Sequence, residues 1–131
     1  MMEAVMSFDS ARAAYVGNSV STASPARLLV MLVERLALDV ERALQAQLDR
    51  DWAEAHTQLL HAQEIVVELA TSLQADRISG GNELAMLYEF LRNRLVAANV
   101  NRDEQTTAQA LLLARGVRDM WQQAATVAAA V

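Results

Sequence analysis

The chain has 131 residues, a net charge of −5, no cysteine and one proline, and 53% of its residues are hydrophobic. That length fits one domain with one modest core. No cysteine excludes disulfides and suits the cytoplasm; the acidic balance argues against nucleic acid; no apolar run approaches the roughly 18 residues of a membrane span.

Residues 1–9 carry acid and no basic run, so they do not read as a signal peptide. They show neither periodicity nor caps, and disorder is expected there. Residues 10–16 end in an apolar patch, Ala13-Ala14-Tyr15-Val16. They predict a short helix that needs a surface to dock on, because one or two turns do not stand alone in water. Gly17, Asn18, Ser19, Ser21 and Thr22 make a flexible polar arm.

Ser24-Pro25 is a sharp helix start. The serine hydroxyl can cap a free amide of the first turn, and proline loses nothing at the first helical position. The predicted helix runs to about Leu48, with Leu29, Leu32, Leu36, Val40 and Ala43 on one face. Leu28, Met31, Leu38 and Leu44 widen that stripe, and Glu34, Asp39, Glu41 and Arg42 take the remainder. Asp51 can cap a helix over about 52–73, striped by Trp52, Ala55, Leu59, Ala62, Val66, Leu69 and Leu73.

Residues 74–82, with Gly80-Gly81, form the main break. A helix over about 83–99 places Leu84, Leu87, Tyr88, Leu91, Leu95 and Ala98 on one face. After a polar turn, a helix over about 103–125 carries Leu111, Ala114, Val117, Trp121 and Ala125, broadened by Leu112, Leu113 and Met120. The tail, residues 126–131, is expected to fray. The fold expected is all-α: an antiparallel four-helix bundle with a short additional N-terminal helix.

Chemistry is scarce. His56 and His61 are five residues apart, about 140° around a helix, which is awkward for shared metal ligation. His61-Ala-Gln-Glu64 reverses the Glu-x-x-His order of carboxylate-bridged bundle sites and stands alone. His61 is expected at the helix surface near Glu64 and Glu68. Gly80-Gly81 lacks the Lys and Ser/Thr of a phosphate loop. Catalytic residues, metal and cofactors are therefore not expected. The apolar stripes are wider than one seam. The surplus either accepts another helix or is covered by the last helix and the N-terminal segment; the residues leave both open.

Several runs in order carry a resemblance: Ala14-Tyr15, Val20, Thr22-Ala23-Ser24-Pro25, Leu28 and Met31-Leu32; then Ala62-Gln63-Glu64-Ile65-Val66 with Glu68-Leu69; then Leu87-Tyr88-Glu89-Phe90, Arg94-Leu95 and Ala98-Asn99; and finally Arg118-Asp119-Met120-Trp121. Over about residues 14–123 the chain resembles the flagellin export chaperone family, FliS. Two places depart from the family pattern. Val33-Glu34-Arg35 stands where Tyr-Asp-Gly is frequent, and Gly80-Gly81 lies closer than usual to Leu87.

The resemblance implies a cytoplasmic export chaperone without enzymatic activity. Its client would be the disordered C-terminal segment of flagellin, kept from premature polymerisation and competent for flagellar type III secretion. Export-gate components are further partners of such a protein. Candidate partner-binding residues are Tyr15, Val16, Val20, Leu28, Met31 and Leu32. Ile65, Leu69, Tyr88, Leu95 and Asn99 complete the set. The short N-terminal helix looks like a lid over the client groove. The expected state is monomer or weak homodimer. The readings from other classes are a self-associating structural bundle and a helical-bundle enzyme.

Overall fold

A computed structural model describes residues 24–130, and every structural statement below concerns them. Tyr15, Val16, Val20 and the expected helix over 10–16 lie outside this range, as do residues 1–9. Within it the chain is helical, without strands.

Helix α1 spans Pro25–Leu48. The Arg27 amide donates to Ser24 Oγ at 3.1 Å, so Ser24 is the cap and Pro25 takes the position where a missing N–H costs nothing. Ser24→Ala should cost about 1 kcal/mol; an unchanged urea midpoint would show that the cap contributes nothing.

Helix α2 spans Trp52–Ser72, with Asp51 Oδ1 accepting from the Glu54 amide. A 3₁₀ turn, Ala75–Arg77, leads to α3 at Gly81–Val100. Helix α4 spans Glu104–Ala130. At its start Asp103 accepts from the Gln105 amide and the Thr106 hydroxyl. These bonds, the Thr106 hydroxyl foremost, hold the Asp103 carboxyl below its ordinary value.

Two boundaries differ from expectation for a physical reason. Helix α3 begins at Gly81, not Glu83, because Gly80 adopts the left-handed conformation (φ 77°) and ends the loop. Helix α4 continues through residues 126–130, where fraying was expected. That run is mostly alanine, the strongest helix former.

Each helix packs against two others: α1 and α3 both lie against α2 and α4. The fully buried centre includes Val33, Leu36 and Val40 from α1, Leu59 and Val66 from α2, Tyr88, Leu91 and Leu95 from α3, and Ala114 and Val117 from α4. The alanines let backbones approach closely.

The core face of α1 is offset from the expected stripe. Val30 and Val33 are buried, whereas Leu29 and Leu32 are half-buried. Residues 28–33 are all apolar, so periodicity alone cannot choose among them. On α4, Leu112 and Met120 point outward rather than broadening the core stripe.

Buried polar groups join the helices. Gln47 Oε1 accepts from Thr107 Oγ1 at 2.6 Å, and Gln47 Nε2 donates to the Ala98 carbonyl at 3.3 Å. One amide thereby ties α1 to α3 and α4. Asp39, expected on the solvated side of its helix, is fully buried. It accepts from Arg35 Nε at 2.8 Å and from His61 Nδ1 on α2. His61 therefore turns toward α1 and its buried carboxylate. An ion buried in this way persists only with such partners.

Candidate partner-binding surfaces

Where α2 ends, the bundle opens into an apolar cleft of about 230 Å³. Leu73 leaves α2 in an extended conformation, so the last turn of the helix is not covered by its own continuation. Leu29 of α1, Leu69 and Leu73 of the α2 end, Ile78 of the loop, Tyr88 of α3 and Trp121 of α4 form the apolar walls. Ser72, Gln74 and Arg77 add polar atoms.

Trp121 is half-buried and its Nε1 donates to the Tyr88 hydroxyl at 2.9 Å, joining α4 to α3 across the cleft floor. Burial pushes the Tyr88 phenol above its ordinary pKa of 10.0, and the Trp121 bond offsets part of that rise. Tyr88 is therefore a neutral wall with a polar tip. Ser72 Oγ is buried with no hydrogen-bond partner among the described residues. Such a hydroxyl costs free energy unless something satisfies it, and it lies in the cleft lining. Ile78 is 42% exposed at the rim.

Two further concavities hold other sequence-predicted residues. One, of about 490 Å³, runs along the first turns of α1 between Leu28, Met31, Leu32 and Leu38, with Arg27, Glu34 and Arg35 around it. The other, of about 220 Å³, lies where α1 and α3 end and α2 begins, and is lined by Gln47, Trp52, His56, Asn99 and Arg102. There the Arg102 guanidinium stacks over the Trp52 ring at 5.1 Å, and His56 Nδ1 lies 3.0 Å from the Asn99 amide nitrogen.

The structure thus distributes the sequence-predicted residues. Leu69 and Tyr88 share the first cleft. Leu28, Met31 and Leu32 line the α1 groove. Asn99 belongs to the polar pocket at the other end. Ile65 and Leu95 are buried core residues and line none of these three concavities. Leu29, Ser72, Ile78 and Trp121 belong to the first cleft and were not among the predicted set. Ile78 had one signal: it is the single large apolar residue in the polar break over 74–82. Trp121 had another, its place in the Arg118-Asp119-Met120-Trp121 run.

Among the described residues, no group of three or more His, Cys, Asp or Glu is placed to hold a metal ion. Among the same residues, no helix is long and apolar enough to cross a membrane.

Four helices enclose one core, with an apolar cleft at one end, which is the architecture of a helical bundle. The family model for the flagellar protein FliS matches residues 8–128. The flagellar secretion chaperone FliS of Bacillus subtilis (strain 168) is 32% identical over 111 residues, 85% of this chain and 83% of that protein. The chain belongs to the FliS family, a family of chaperones and not of enzymes.

Proposed function

We propose that this protein binds the disordered C-terminal segment of flagellin in the cytoplasm, prevents its premature polymerisation and keeps it competent for flagellar type III secretion. Export-gate components would be its second partner. The observation that carries this reading is the apolar cleft at the α2 end, where the Ser72 hydroxyl has no partner among the described residues. An amphipathic helix can seat apolar side chains against Leu29, Leu73 and Ile78 while one polar atom reaches Ser72. Ordering a disordered client costs about 2–5 kcal/mol, offset by a large wrapped area. The α1 groove with Leu28, Met31 and Leu32 would extend that area. An antiparallel arrangement of the four helices is part of the proposal, supported by their short connections and by the pairing of each helix with its chain neighbours.

Titration of a flagellin C-terminal peptide tests the cleft. Ile78→Asp puts a charge on the exposed rim without touching the core. Affinity should fall by about 30-fold, the 2 kcal/mol of an interface hot spot. Equal affinity for both forms would remove the cleft as the client site.

The N-terminal residues have a role in the same proposal. Residues 10–16, with Tyr15 and Val16, would form an additional short helix that acts as a lid, competing with the client for apolar surface. The observed affinity of such a protein falls by the fraction left open. With the lid closed about nine times in ten, deleting residues 1–16 should tighten binding about tenfold, near 1.4 kcal/mol. Weaker binding with unchanged helicity and melting would instead make Tyr15 a client contact.

A further inference from the structure

Ser72 is the last residue of α2 and only 9% exposed, yet its hydroxyl has no hydrogen-bond partner among the described residues. A helical hydroxyl has a local way out, because it can donate to the carbonyl four residues earlier. Thr57, Thr107 and Thr126 do this, to the carbonyls of Ala53, Asp103 and Gln122. Ser72 makes no such bond to Glu68, and neither Gln74 nor Tyr88, which share the cleft lining, bonds it. Its donor and its acceptor are both unspent.

Tyr88 holds a second unspent group. The side chain is almost fully buried, and among the described residues its hydroxyl makes one hydrogen bond, the one it accepts from Trp121 Nε1 at 2.9 Å. That bond uses the acceptor side of the phenol and leaves the O–H proton free to donate. The two hydroxyls line the same cleft and are too far apart to satisfy one another. Leu29, Leu69, Leu73 and Ile78 surround them with apolar surface. A hydrogen bond left unmade in such surroundings is costly, so the cleft favours a guest that supplies both.

The chemistry of that guest follows from the two groups. It must accept from Tyr88, and it must donate to or accept from Ser72. An apolar side chain leaves both unpaired. An ammonium or guanidinium group has no acceptor. A carboxylate accepts, but it brings an ion among leucines, which is expensive without a dedicated pair, and Arg77 of the lining already has a partner. A hydroxyl has one oxygen to offer to two separated groups. A carboxamide is neutral and carries a carbonyl oxygen and an NH₂ group side by side.

We infer that the cleft selects its client by a carboxamide side chain, Asn or Gln, whose oxygen accepts from Tyr88 and whose NH₂ donates to Ser72. The inference rests on the proposal that the cleft is the client site. Leu29, Leu73 and Ile78 then hold the apolar residues one helical turn away on the client. Apolar contacts alone discriminate weakly between guests, whereas buried polar groups left unpaired by the wrong guest discriminate strongly. Ser72 and Tyr88 are therefore the residues that set specificity.

Ser72→Ala in the full chain is the first test. It removes an unpaired hydroxyl and introduces a better helix former, so its melting temperature should equal or exceed that of wild type. Its affinity for a flagellin C-terminal peptide should nevertheless fall about tenfold, the loss of one buried hydrogen bond. Replacing the Asn and Gln residues of the peptide by Leu, one at a time, should expose one position that weakens binding to wild type at least about tenfold. The same replacement should cost clearly less against Ser72→Ala, because both changes remove one shared bond. Equal or tighter binding by Ser72→Ala would overturn the inference, as would a peptide in which no single amide matters. A lower melting temperature of Ser72→Ala without client would also overturn it, because the hydroxyl would then already be bonded by residues 1–23. Ile78→Asp separates this inference from the reading beneath it. Weaker binding by Ile78→Asp with no change for Ser72→Ala removes the carboxamide alone, and no change for either variant removes the cleft as client site.

Discussion

Trp121→Ala is expected to lower stability by about 3–5 kcal/mol, the usual cost of truncating a large aromatic against a core. Two losses add. The indole leaves a void in the cleft floor between Tyr88, Leu69 and Leu29, and the surrounding helices can collapse into it only in part. The Tyr88 hydroxyl, on an almost fully buried side chain, also loses its Trp121 donor. A buried polar group left unpaired costs about 1–3 kcal/mol. Trp121 is half-buried, which sets the expectation at the lower part of the range. Trp52 is the comparison. It too is half-buried, but its partner is the exposed Arg102 at a helix end, and such a stack is worth about 0.5–1 kcal/mol. Urea unfolding of both variants gives the order, and a larger loss for Trp52→Ala would contradict it. Trp121→Phe should recover the packing but not the hydrogen bond, and so fall between wild type and alanine.

Gly81→Ala is expected to cost about 3 kcal/mol, the upper part of the range for overpacking a filled site. A Cβ at Gly81 would stand 2.1 Å from the Ala75 carbonyl oxygen and 2.7 Å from its carbonyl carbon. These are backbone atoms, which cannot rotate aside as a side chain can. The 3₁₀ turn over Ala75–Arg77 would have to move away from the start of α3, carrying Ile78 and the cleft rim with it. The variant should therefore lose client affinity as well as stability. Gly116→Ala is the internal control. It adds a methyl group in open space on a helix and should raise stability by about 1 kcal/mol. Gly81→Ala melting within a degree or two of wild type would show that the turn yields freely.

Ser24-Pro25 and Asp51 marked true helix starts because capping is local chemistry, complete within one turn of the chain. The family was legible too, since runs such as Leu87-Tyr88-Glu89-Phe90 and Arg118-Asp119-Met120-Trp121 survive in order. The candidate site was legible only in part. Leu69 and Tyr88 belong to the cleft, but Ser72, Ile78 and Leu29 come from elements whose meeting no single stretch records.

What the sequence by itself determined was therefore the all-helical class, the number of long helices and most of their bounds, because periodicity and caps depend on neighbours three or four residues away. Tertiary structure decided which flank of a wide apolar stripe faces inward. It turned Val33 in and left Leu29 and Leu32 at the edge, and it sent Leu112 outward while Leu111 went to the core. It alone could place Asp39 under Arg35 and His61, and Gln47 between Ala98 and Thr107. For these two buried polar groups the physical reason is the same. A polar side chain is tolerated in a core when partners on other helices satisfy it, and those partners lie up to 60 residues away in the chain.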